Sequence, residues 1–311
     1  MELILTVGIP ACGKSTLSKK YKEEGYCVLS SDEIRAELQQ KIDANELRLP
    51  DNTNLNAATF DQVKSRAIAA LKVGRSVYVD ATNLGRKRRI NFLRGLYKFD
   101  CKLICMLFVV QPKICMERNT LRQGYARVPD EAMYNMFCSF ECPNYWEGWH
   151  EIITVVDDTP YEFNFDWVKD LSQDNPHHRL TLGEHMQSAW QYAVDNGFSQ
   201  AVQTTAKYHD IGKLYTKRFE NIKGEKTEIA HYYGHENYGA YLYLVQNLCG
   251  KQVSVEDFNR ILYETNLINC HMRPLNVWRR SDNAKRKDKE RFGEQFFNDL
   301  VNLNICDKKA H

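Results

Sequence analysis

Hydrophobic and polar residues follow two different patterns in the first half of the chain. Short, nearly continuous apolar runs of strand length are separated by longer segments in which apolar residues recur every three or four positions. The predicted strands are Leu3–Gly8, Cys27–Ser31, Ser76–Ala81, Lys102–Val110 and Ile152–Val156. The predicted helices between them are notably Lys14–Glu23, Ala57–Val73, Arg89–Lys98 and Pro112–Gln123. Apolar strands without polar alternation are buried on both faces, so this half is predicted to be a parallel α/β sheet covered by helices.

The second half has a different pattern. No further strand is predicted after Val156, and from about Leu180 the apolar spacing is helical to the end of the chain. A length of 311 residues also favours more than one domain. We therefore expect an α/β domain at residues 1–160, a linker at 161–176 and an all-α domain at 177–311. His177 and His178 are interpreted as linker-proximal residues without a functional role.

Composition narrows the class of protein. Hydrophobic residues make up 43% and charged residues 26% of the chain, as in ordinary globular proteins. The chain enters its first strand directly and has no apolar run of the ~18 residues that span a bilayer, so neither a signal peptide nor a membrane partner is expected. The ten cysteines form no CxxC pair and are interpreted as buried small hydrophobic residues in a reducing compartment. A soluble, cytoplasmic protein of undetermined oligomeric state is expected.

The net charge is only +2, but the basic residues are clustered. One cluster contains Arg86, Lys87, Arg88 and Arg89, and the other contains Arg279, Arg280, Lys285, Arg286, Lys287, Lys289 and Arg291. Two interpretations are open for each cluster. The residues are either solvated helix faces or contacts to the backbone phosphates of a nucleic acid.

The segment between the first predicted strand and the first predicted helix matches the pattern GxxxxGK[ST]. It consists of Gly8, Ile9, Pro10, Ala11, Cys12, Gly13, Lys14 and Ser15, followed by Thr16. Its glycines allow backbone N–H groups to converge on phosphate oxygens at the positive end of a helix. Lys14 is predicted to reach the β- and γ-phosphates of ATP or another nucleoside triphosphate, and Ser15 to hold Mg²⁺.

Acidic residues follow the next two strands, at the sheet edge where ligands of open α/β folds bind. Asp32 is predicted to accept a proton from an attacking hydroxyl, and Arg35, one helical turn later, to contact an acceptor phosphate. A helix N-cap is the alternative role of Asp32. Asp80 has the position of a Walker-B carboxylate. Two roles are open for it: binding a metal ion, or a purely structural role.

Two further arginines follow the fourth predicted strand. Arg118 and Arg122 are four residues apart on a predicted helix and share a face. On a mobile lid they would stabilise charge on the transferring phosphoryl group, and surface salt bridging is the alternative.

These residues resemble the kinase domain of phage-type polynucleotide 5′-kinases over the first ~160 residues. The matching segments are Gly8–Ser15, Asp32-x-x-Arg35, Asp80–Leu84, and Arg118-x-x-x-Arg122-x-Gly124 followed by Val128-Pro129. The resemblance implies that Asp32 is the general base for a 5′-hydroxyl, that Arg35 contacts the acceptor's phosphate and that Arg118 and Arg122 hold the ATP phosphates. The same core serves zeta-toxin-like and small-metabolite kinases, so the fold is better specified than the acceptor.

The helical half contains a spaced series of histidines and aspartates. Its members are His185, His209, Asp210, His235, His271 and Asp307, with His231 as a weaker candidate. A ligand set of imidazoles and carboxylates without cysteine suits Mn²⁺, Fe, Co²⁺, Ni²⁺ or Zn²⁺ better than Ca²⁺.

This series resembles the HD phosphohydrolase superfamily across about residues 177–310, and residues 230–240 resemble the HD domain attached to bacterial CCA-adding enzymes. The resemblance implies a principal metal site of His185, His209, Asp210 and Asp307, with His235 and His271 able to bind a second ion. The implied chemistry is attack of metal-activated water on a phosphoester, with Lys213 supporting the phosphate. The sequence ends four residues after Asp307. The helix that carries Asp307 is therefore expected to have little chain beyond it that could pack over its C-terminal end.

Together the two halves predict an RNA end-healing enzyme. It would combine an ATP-dependent 5′-hydroxyl polynucleotide kinase with a metal-dependent 2′,3′-cyclic phosphodiesterase or 2′(3′)-phosphatase, and its substrates would be RNA or DNA ends. Two alternatives stay open. One is a small-molecule or nucleotide kinase fused to an HD nucleotidase, and the other is a regulatory nucleotide-binding module with a ligand-sensing second half.

Overall fold

The computed structural model describes residues 1–176 and 179–310, so the interpretation of His177 and His178 concerns positions outside the described residues. The chain forms two compact units. The first contains Met1–Phe108, Pro112–Val128 and Glu147–Val155, and the second contains Val109–Gln111, Pro129–Trp146 and Val156–His311. This division differs from a single boundary at residue 160, because the segment 129–146 packs with the helices that follow it. The rings of Phe137 and Phe140, for example, lie edge-on to Tyr241 at centroid distances of 5.2 and 5.0 Å.

The first unit contains a five-stranded sheet, as the apolar runs predict. The strands are β1 (Glu2–Val7), β2 (Cys27–Ser30), β3 (Val77–Asp80), β4 (Lys102–Val109) and β5 (Glu151–Val156). Their order is β2-β3-β1-β4-β5; β1 runs parallel to β3 and β4, and β2 runs parallel to β3. The central strand β1 therefore ends between two neighbours, which is where a doubly wound sheet opens a crevice for a ligand.

Five helices belong to the first unit: α1 (Lys14–Glu23), α2 (Ser31–Asp43), α3 (Leu55–Lys72), α4 (Arg86–Leu93) and α5 (Pro112–Thr120). The predicted bounds of α1 are confirmed and those of α3 are close. The bounds predicted for α4 are wrong, because the helix starts three residues before Arg89 and Gly95, with φ of 85°, turns the chain soon after Leu93.

The second unit is mainly helical, as predicted. Its helices are α6 (Asp130–Phe137), α7 (Asp166–Lys169), α8 (Leu182–Asp195), α9 (Gln200–Tyr208), α10 (Lys213–Thr216), α11 (His235–Leu248), α12 (Val255–Cys270), α13 (Arg273–Asn276), α14 (Asp282–Phe292) and α15 (Glu294–Lys309). Apolar faces of α8, α9, α12 and α15 form one core that includes Ala189, Val202, Leu267 and Leu300. A capping box between Thr181 and Glu184 fixes the start of α8.

The prediction that no strand follows Val156 is wrong. Strands β6 (Arg218–Glu220) and β7 (Lys226–His231) form an antiparallel hairpin. Its turn is held by Asn221, whose side-chain oxygen accepts from the backbone N–H groups of Lys223 and Glu225. The strands are short and largely exposed, so their sequence lacks the apolar run that signals a buried strand.

Two further expectations can be compared with the described residues. None of the helices in the described part of the chain is both long and apolar enough to cross a membrane. The cysteines all fall within the described ranges, most are buried, and no disulfide joins them there.

Candidate phosphate-binding and metal sites

The loop after β1 has the backbone of a phosphate cradle. Ala11 and Gly13 both lie in the left-handed region, with φ of 65° and 103°, so successive N–H groups turn to one side. Gly8 is required by close packing, since a Cβ there would lie 2.8 Å from both Cys12 Sγ and Phe108 Cβ. The buried Lys14 folds back over the loop, and its Nζ donates to the carbonyl oxygens of Gly8 at 3.0 Å and Ile9 at 2.7 Å.

The loop opens onto a cavity of about 530 Å³ in the first unit. The cavity is lined by Ala11, Cys12, Gly13, Lys14, Ser15, Thr16, Leu17, Phe108, Arg118, Arg122 and Val155. The predicted loop residues Ala11 to Thr16 therefore face the cavity. The other three, Gly8, Ile9 and Pro10, are buried at the start of the loop.

Both predicted lid arginines line this cavity, but they do not share a helix face. Helix α5 ends at Thr120, so Arg122 lies beyond it and donates to the carbonyl oxygen of Ala126 at 3.2 Å. The helix stops early because the side chain of Asn119 makes two hydrogen bonds with the backbone of Val128 and closes the intervening loop. Asn119 was missed from the sequence, since no motif marks an asparagine that bridges nine residues.

Ser15 and Asp80 lie together beside the phosphate loop. The Ser15 hydroxyl donates to the buried carboxylate of Asp80, which ends β3 next to β1. Burial raises the pKa of Asp80, although the Ser15 hydrogen bond and the Lys14 charge act against the shift. A hydroxyl and a carboxylate at this point are oxygen ligands suited to Mg²⁺, which a P-loop kinase fold implies together with ATP.

Asp32 and Arg35 form an exposed ion pair on the first turns of α2. Ser30 is the N-cap of that helix and accepts from the Glu33 N–H at 3.3 Å, so the N-cap alternative for Asp32 is wrong. Arg35 Nη1 donates to Asp32 Oδ1 at 2.7 Å, and Nη2 donates to Asn56 Oδ1 at 3.3 Å. These contacts orient the carboxylate without burying it, because 87% of the Asp32 side chain is exposed.

Arg88 lies near this ion pair. Its guanidinium carbon is 4.2 Å from the centroid of the Phe60 ring. Desolvation, and then the positive charge of Arg35, lower the pKa of Arg88, so two guanidiniums are close enough to repel each other. Neither Phe60 nor Asn56 was identified from the sequence.

The first basic cluster is not one surface. Arg89 is completely buried, with Nε and Nη2 each donating to Glu147 at 2.7 Å and Nη1 donating to the carbonyl oxygens of Asn83 and Leu84. Arg86 is buried near the same carboxylate, and only Lys87 and Arg88 are exposed. Both interpretations of the cluster are therefore wrong for Arg86 and Arg89, which hold the fold. Glu147 is 58 residues from Arg89, and no local pattern signals their pairing.

The six predicted metal ligands of the second unit come together at helix ends. His185 lies on α8, and His209 and Asp210 directly follow α9. His235 begins α11, His271 directly follows α12, and Asp307 lies on α15. They form two groups whose ligand atoms lie within 4.8 Å of one another: His185, His209, Asp210 and Asp307, and Asp210, His235 and His271.

Asp210 belongs to both groups. Its Oδ2 lies 3.3 Å from Nε2 of His185 and 3.3 Å from Nε2 of His209. Its Oδ1 lies 3.2 Å from Nε2 of His235 and 3.6 Å from Nε2 of His271. Because one carboxylate can bridge two ions, this arrangement suits a pair of metals.

The four imidazoles are held with the same ring nitrogen inward. Each Nδ1 lies 2.7 to 2.9 Å from a backbone carbonyl oxygen, which can only accept. Nδ1 therefore carries the hydrogen, and the lone pair of Nε2 points into the centre. Nε2 of His185 lies 3.2 Å from that of His209, and Nε2 of His235 lies 3.1 Å from that of His271. Two lone pairs this close require a cation between them, either a proton or a metal ion. A donor set of imidazoles and carboxylates fits first-row transition metals.

Charge in this centre is tightly coupled. Burial lowers the pKa of His209, but Asp210 and Asp307 outweigh burial and raise it to about 10. Although burial favours the protonated carboxyl, His209 and Lys213 hold the pKa of Asp210 well below its usual range. Lys213 Nζ lies 2.7 Å from Asp210 Oδ2 and 2.9 Å from Gln173 Oε1, so this lysine supports a ligand directly.

The candidate metal centre opens onto a cavity of about 390 Å³ within the second unit. Lys213, His231, Tyr233 and the rim residues Met272, Leu275 and Asn276 are among its lining residues. His231 belongs to neither ligand group and stacks on Tyr233, with ring centroids 5.4 Å apart.

The expectation of little cover for the helix of Asp307 is wrong. Leu300, Leu303 and Cys306 on α15 are fully buried in the helical core. The carbonyl oxygen of Ala310 accepts from Nδ1 of His185 at 2.9 Å, so the end of the described chain orients a ligand. Ala310 lies outside any motif and could not be identified from the sequence.

The fold and the phosphate-binding loop define the first unit as a P-loop α/β domain. Residues 3–143 match the model of a family described as "AAA domain". Over 189 residues the chain is 23% identical to L-seryl-tRNA(Sec) kinase of Methanococcus maripaludis, covering 58% of this chain and 69% of the relative.

Solved structures with partial similarity each cover 50% of this chain. One is a putative kinase from Chloroflexus aurantiacus, with a TM-score of 0.39, 19% identity and 84% of its chain covered. Another is a gluconokinase from Sinorhizobium meliloti, with a TM-score of 0.36, 18% identity and 81% of its chain covered.

Proposed function

We propose that the chain is a bifunctional nucleic-acid end-healing enzyme. The first unit transfers the γ-phosphoryl group of ATP to a 5′-hydroxyl of RNA, and the second hydrolyses a 2′,3′-cyclic phosphate or a 2′(3′)-phosphate. One observation carries the proposal: two separate sites whose residues suit phosphate chemistry occur on one chain. They are a P-loop cavity accompanied by an Asp–Arg pair, and a buried centre with four inward-facing imidazole nitrogens and a shared carboxylate.

In the kinase reaction, the loop N–H groups and Lys14 bind the β- and γ-phosphates, and Arg118 and Arg122 neutralise the transferring group. Ser15 and Asp80 would hold Mg²⁺, which supplies charge neutralisation on the phosphates. Asp32 accepts the hydroxyl proton as the acceptor oxygen bonds to the γ-phosphorus and the bond to the ADP oxygen breaks.

The acceptor is proposed to be a nucleotide chain because positive charge extends beyond Asp32. Arg35 contacts the proposed general base Asp32, and Arg88 lies close to Arg35. Both guanidiniums can bind the phosphates of an acceptor that carries more than one phosphate group. The relative from Methanococcus maripaludis is named for a seryl-tRNA acceptor, which is consistent with an RNA-linked hydroxyl.

In the hydrolytic reaction, His185, His209, Asp210 and Asp307 would hold one ion, and His235 and His271 would hold a second that shares Asp210. When bound, such ions activate water and neutralise phosphoryl oxygens. The chain's own contribution is orientation. The backbone carbonyls fix the imidazole tautomers, and Lys213 holds the Asp210 carboxylate in place.

The kinase assignment is tested by acceptor competition. The full chain is incubated with labelled ATP and a 5′-hydroxyl RNA, the matching DNA or a nucleoside, and kcat/KM is compared. The RNA is expected to outcompete the nucleoside. Comparable values would refute the polynucleotide acceptor and favour a small-molecule kinase.

The hydrolase assignment is tested by metal-dependent turnover. Metal-stripped protein receives Mn²⁺, Co²⁺, Ni²⁺ or Zn²⁺ together with an RNA that ends in a 2′,3′-cyclic phosphate, and a small chromogenic phosphodiester is assayed in parallel. Turnover of neither substrate with any of these metals would refute the phosphoesterase and favour a ligand-sensing role.

A further inference from the structure

We propose that exposed cations on the turn Trp278–Arg280 and on helix α14 bind the phosphate backbone of a single-stranded polynucleotide whose 3′ end enters the metal cavity. We call these residues the α14 basic surface: Arg279, Arg280, Lys285, Lys287 and Arg291. The inference rests on the proposed phosphoesterase function of the metal centre and adds how that centre holds a long substrate.

The charge of this segment is far from balanced. Residues 279–294 contain seven basic and four acidic residues, whereas the whole chain has a net charge of only +2. Arg286 pairs with Glu290 and Lys289 with Glu294. The five members of the α14 basic surface are exposed and make no ion pair within the described ranges. A solvated helix face is usually balanced by charge pairs along the helix, so five exposed cations without an ion pair in the described part of the chain indicate an anionic partner.

The helix that carries this charge is held firmly in place. The buried Asp288 accepts from Arg273 Nε at 2.8 Å and Nη2 at 2.6 Å, and from Trp278 Nε1 at 2.8 Å. These bonds tie the middle of α14 to α13 and to the turn between them. A site on a rigid element presents its charges at fixed positions, as recognition of a phosphate backbone requires.

The α14 basic surface begins close to the metal cavity. Met272, Leu275 and Asn276 line that cavity, and Arg279 follows Asn276 by three residues. Three residues span at most about 11 Å of extended chain, so Arg279 lies near the cavity rim. A strand with its terminal phosphate at the metal centre can therefore meet Arg279 first and the cations of α14 next.

Salt-dependent RNA binding tests this assignment directly. The variant Arg279→Gln/Lys285→Gln/Lys287→Gln is compared with Lys169→Gln/Lys223→Gln/Lys226→Gln, which removes the same charge from exposed lysines of the same unit. The probe is a short labelled single-stranded RNA with a 2′,3′-cyclic phosphate end. Its affinity for the full chain is measured over a range of salt concentrations.

Each lost phosphate contact is expected to reduce the slope of log K against log salt by about 0.7, so the α14 variant loses about 1.4 to 2 units of slope. The control variant keeps the wild-type slope. The first unit is unchanged in both variants, so its RNA contacts cancel in the comparison. Circular dichroism verifies that both variants are folded.

Equal slopes for the α14 variant and the control would overturn the proposal, as would wild-type RNA binding that does not depend on salt. The binding measurement requires no turnover, so it fails independently of the phosphoesterase. Hydrolysis of the small diester by the wild-type chain reports on the metal centre alone.

Discussion

The buried pair of Arg89 and Glu147 allows a quantitative prediction about the first unit. Glu147 receives two hydrogen bonds of 2.7 Å from Arg89 and one of 3.2 Å from Trp149 Nε1. In Glu147→Gln the amide keeps the shape but removes the charge, and its NH₂ group faces other donors. Removing one partner from a buried ion pair costs about 3–5 kcal/mol, because the remaining charge has no compensation.

A loss of this size increases the opening equilibrium of the first unit by about a hundredfold to several thousandfold, at about 1.4 kcal/mol for each factor of ten. Native-state hydrogen exchange measures this opening without assuming that the whole chain unfolds in one step. Amides of β1 and β3 are the reporters, since both strands lie in the buried centre of the sheet.

A matched control is available in the same unit. Glu151 pairs with Lys102 at the surface, with 41% of its side chain exposed. Glu151→Gln makes the same chemical change and is expected to leave exchange of β1 and β3 nearly unaltered, because solvent screens exposed pairs. If Glu147→Gln exchanges no faster than this control, the structural role assigned to Arg89 is wrong.

Three further predictions concern the two proposed active sites. Lys14→Ala and Asp32→Asn should both abolish phosphoryl transfer, but only the Asp32 variant should bind ATP normally by calorimetry. If Asp32→Asn phosphorylates 5′-hydroxyl RNA at a near wild-type rate, Asp32 is not the general base. Arg88→Ala should raise KM for a 5′-hydroxyl RNA about tenfold and leave KM for ATP unchanged, by loss of a phosphate contact; an equal rise for a nucleoside acceptor would count against that contact. His209→Ala should eliminate hydrolysis of a 2′,3′-cyclic phosphate while ATP-dependent phosphorylation persists, and Mn²⁺, Co²⁺ or Ni²⁺, unlike Ca²⁺, should reactivate metal-stripped wild type. Loss of both activities in a folded His209→Ala protein would contradict two separate centres.

Short-range sequence patterns predicted the strands, the first helix and the cluster of candidate metal ligands. The strands of the first sheet and helix α1 follow from apolar runs and from the glycine pattern at Gly8 and Gly13. The six predicted metal ligands also converge, because each lies at or near a helix end that meets the same centre.

The features that were missed depend on residues distant in sequence. Glu147 pairs with Arg89 across 58 residues, and Ala310 orients His185 across 125 residues. Arg122 leaves the predicted helix because Asn119 bonds to Val128, a contact that helix propensity does not encode. The hairpin β6–β7 was missed because its strands are short and exposed.

The interleaved course of the chain affects any attempt to separate the two proposed activities. Residues 129–146 precede the last strand of the first unit but pack within the second unit, where Phe137 and Phe140 contact Tyr241. A fragment cut after residue 160 would retain these aromatic rings and lose the helix that covers them. Such a fragment is expected to self-associate through the uncovered rings. For the same reason, a chimera that takes its second unit from a related protein is expected to fold only if residues 129–146 come from the same protein as that unit.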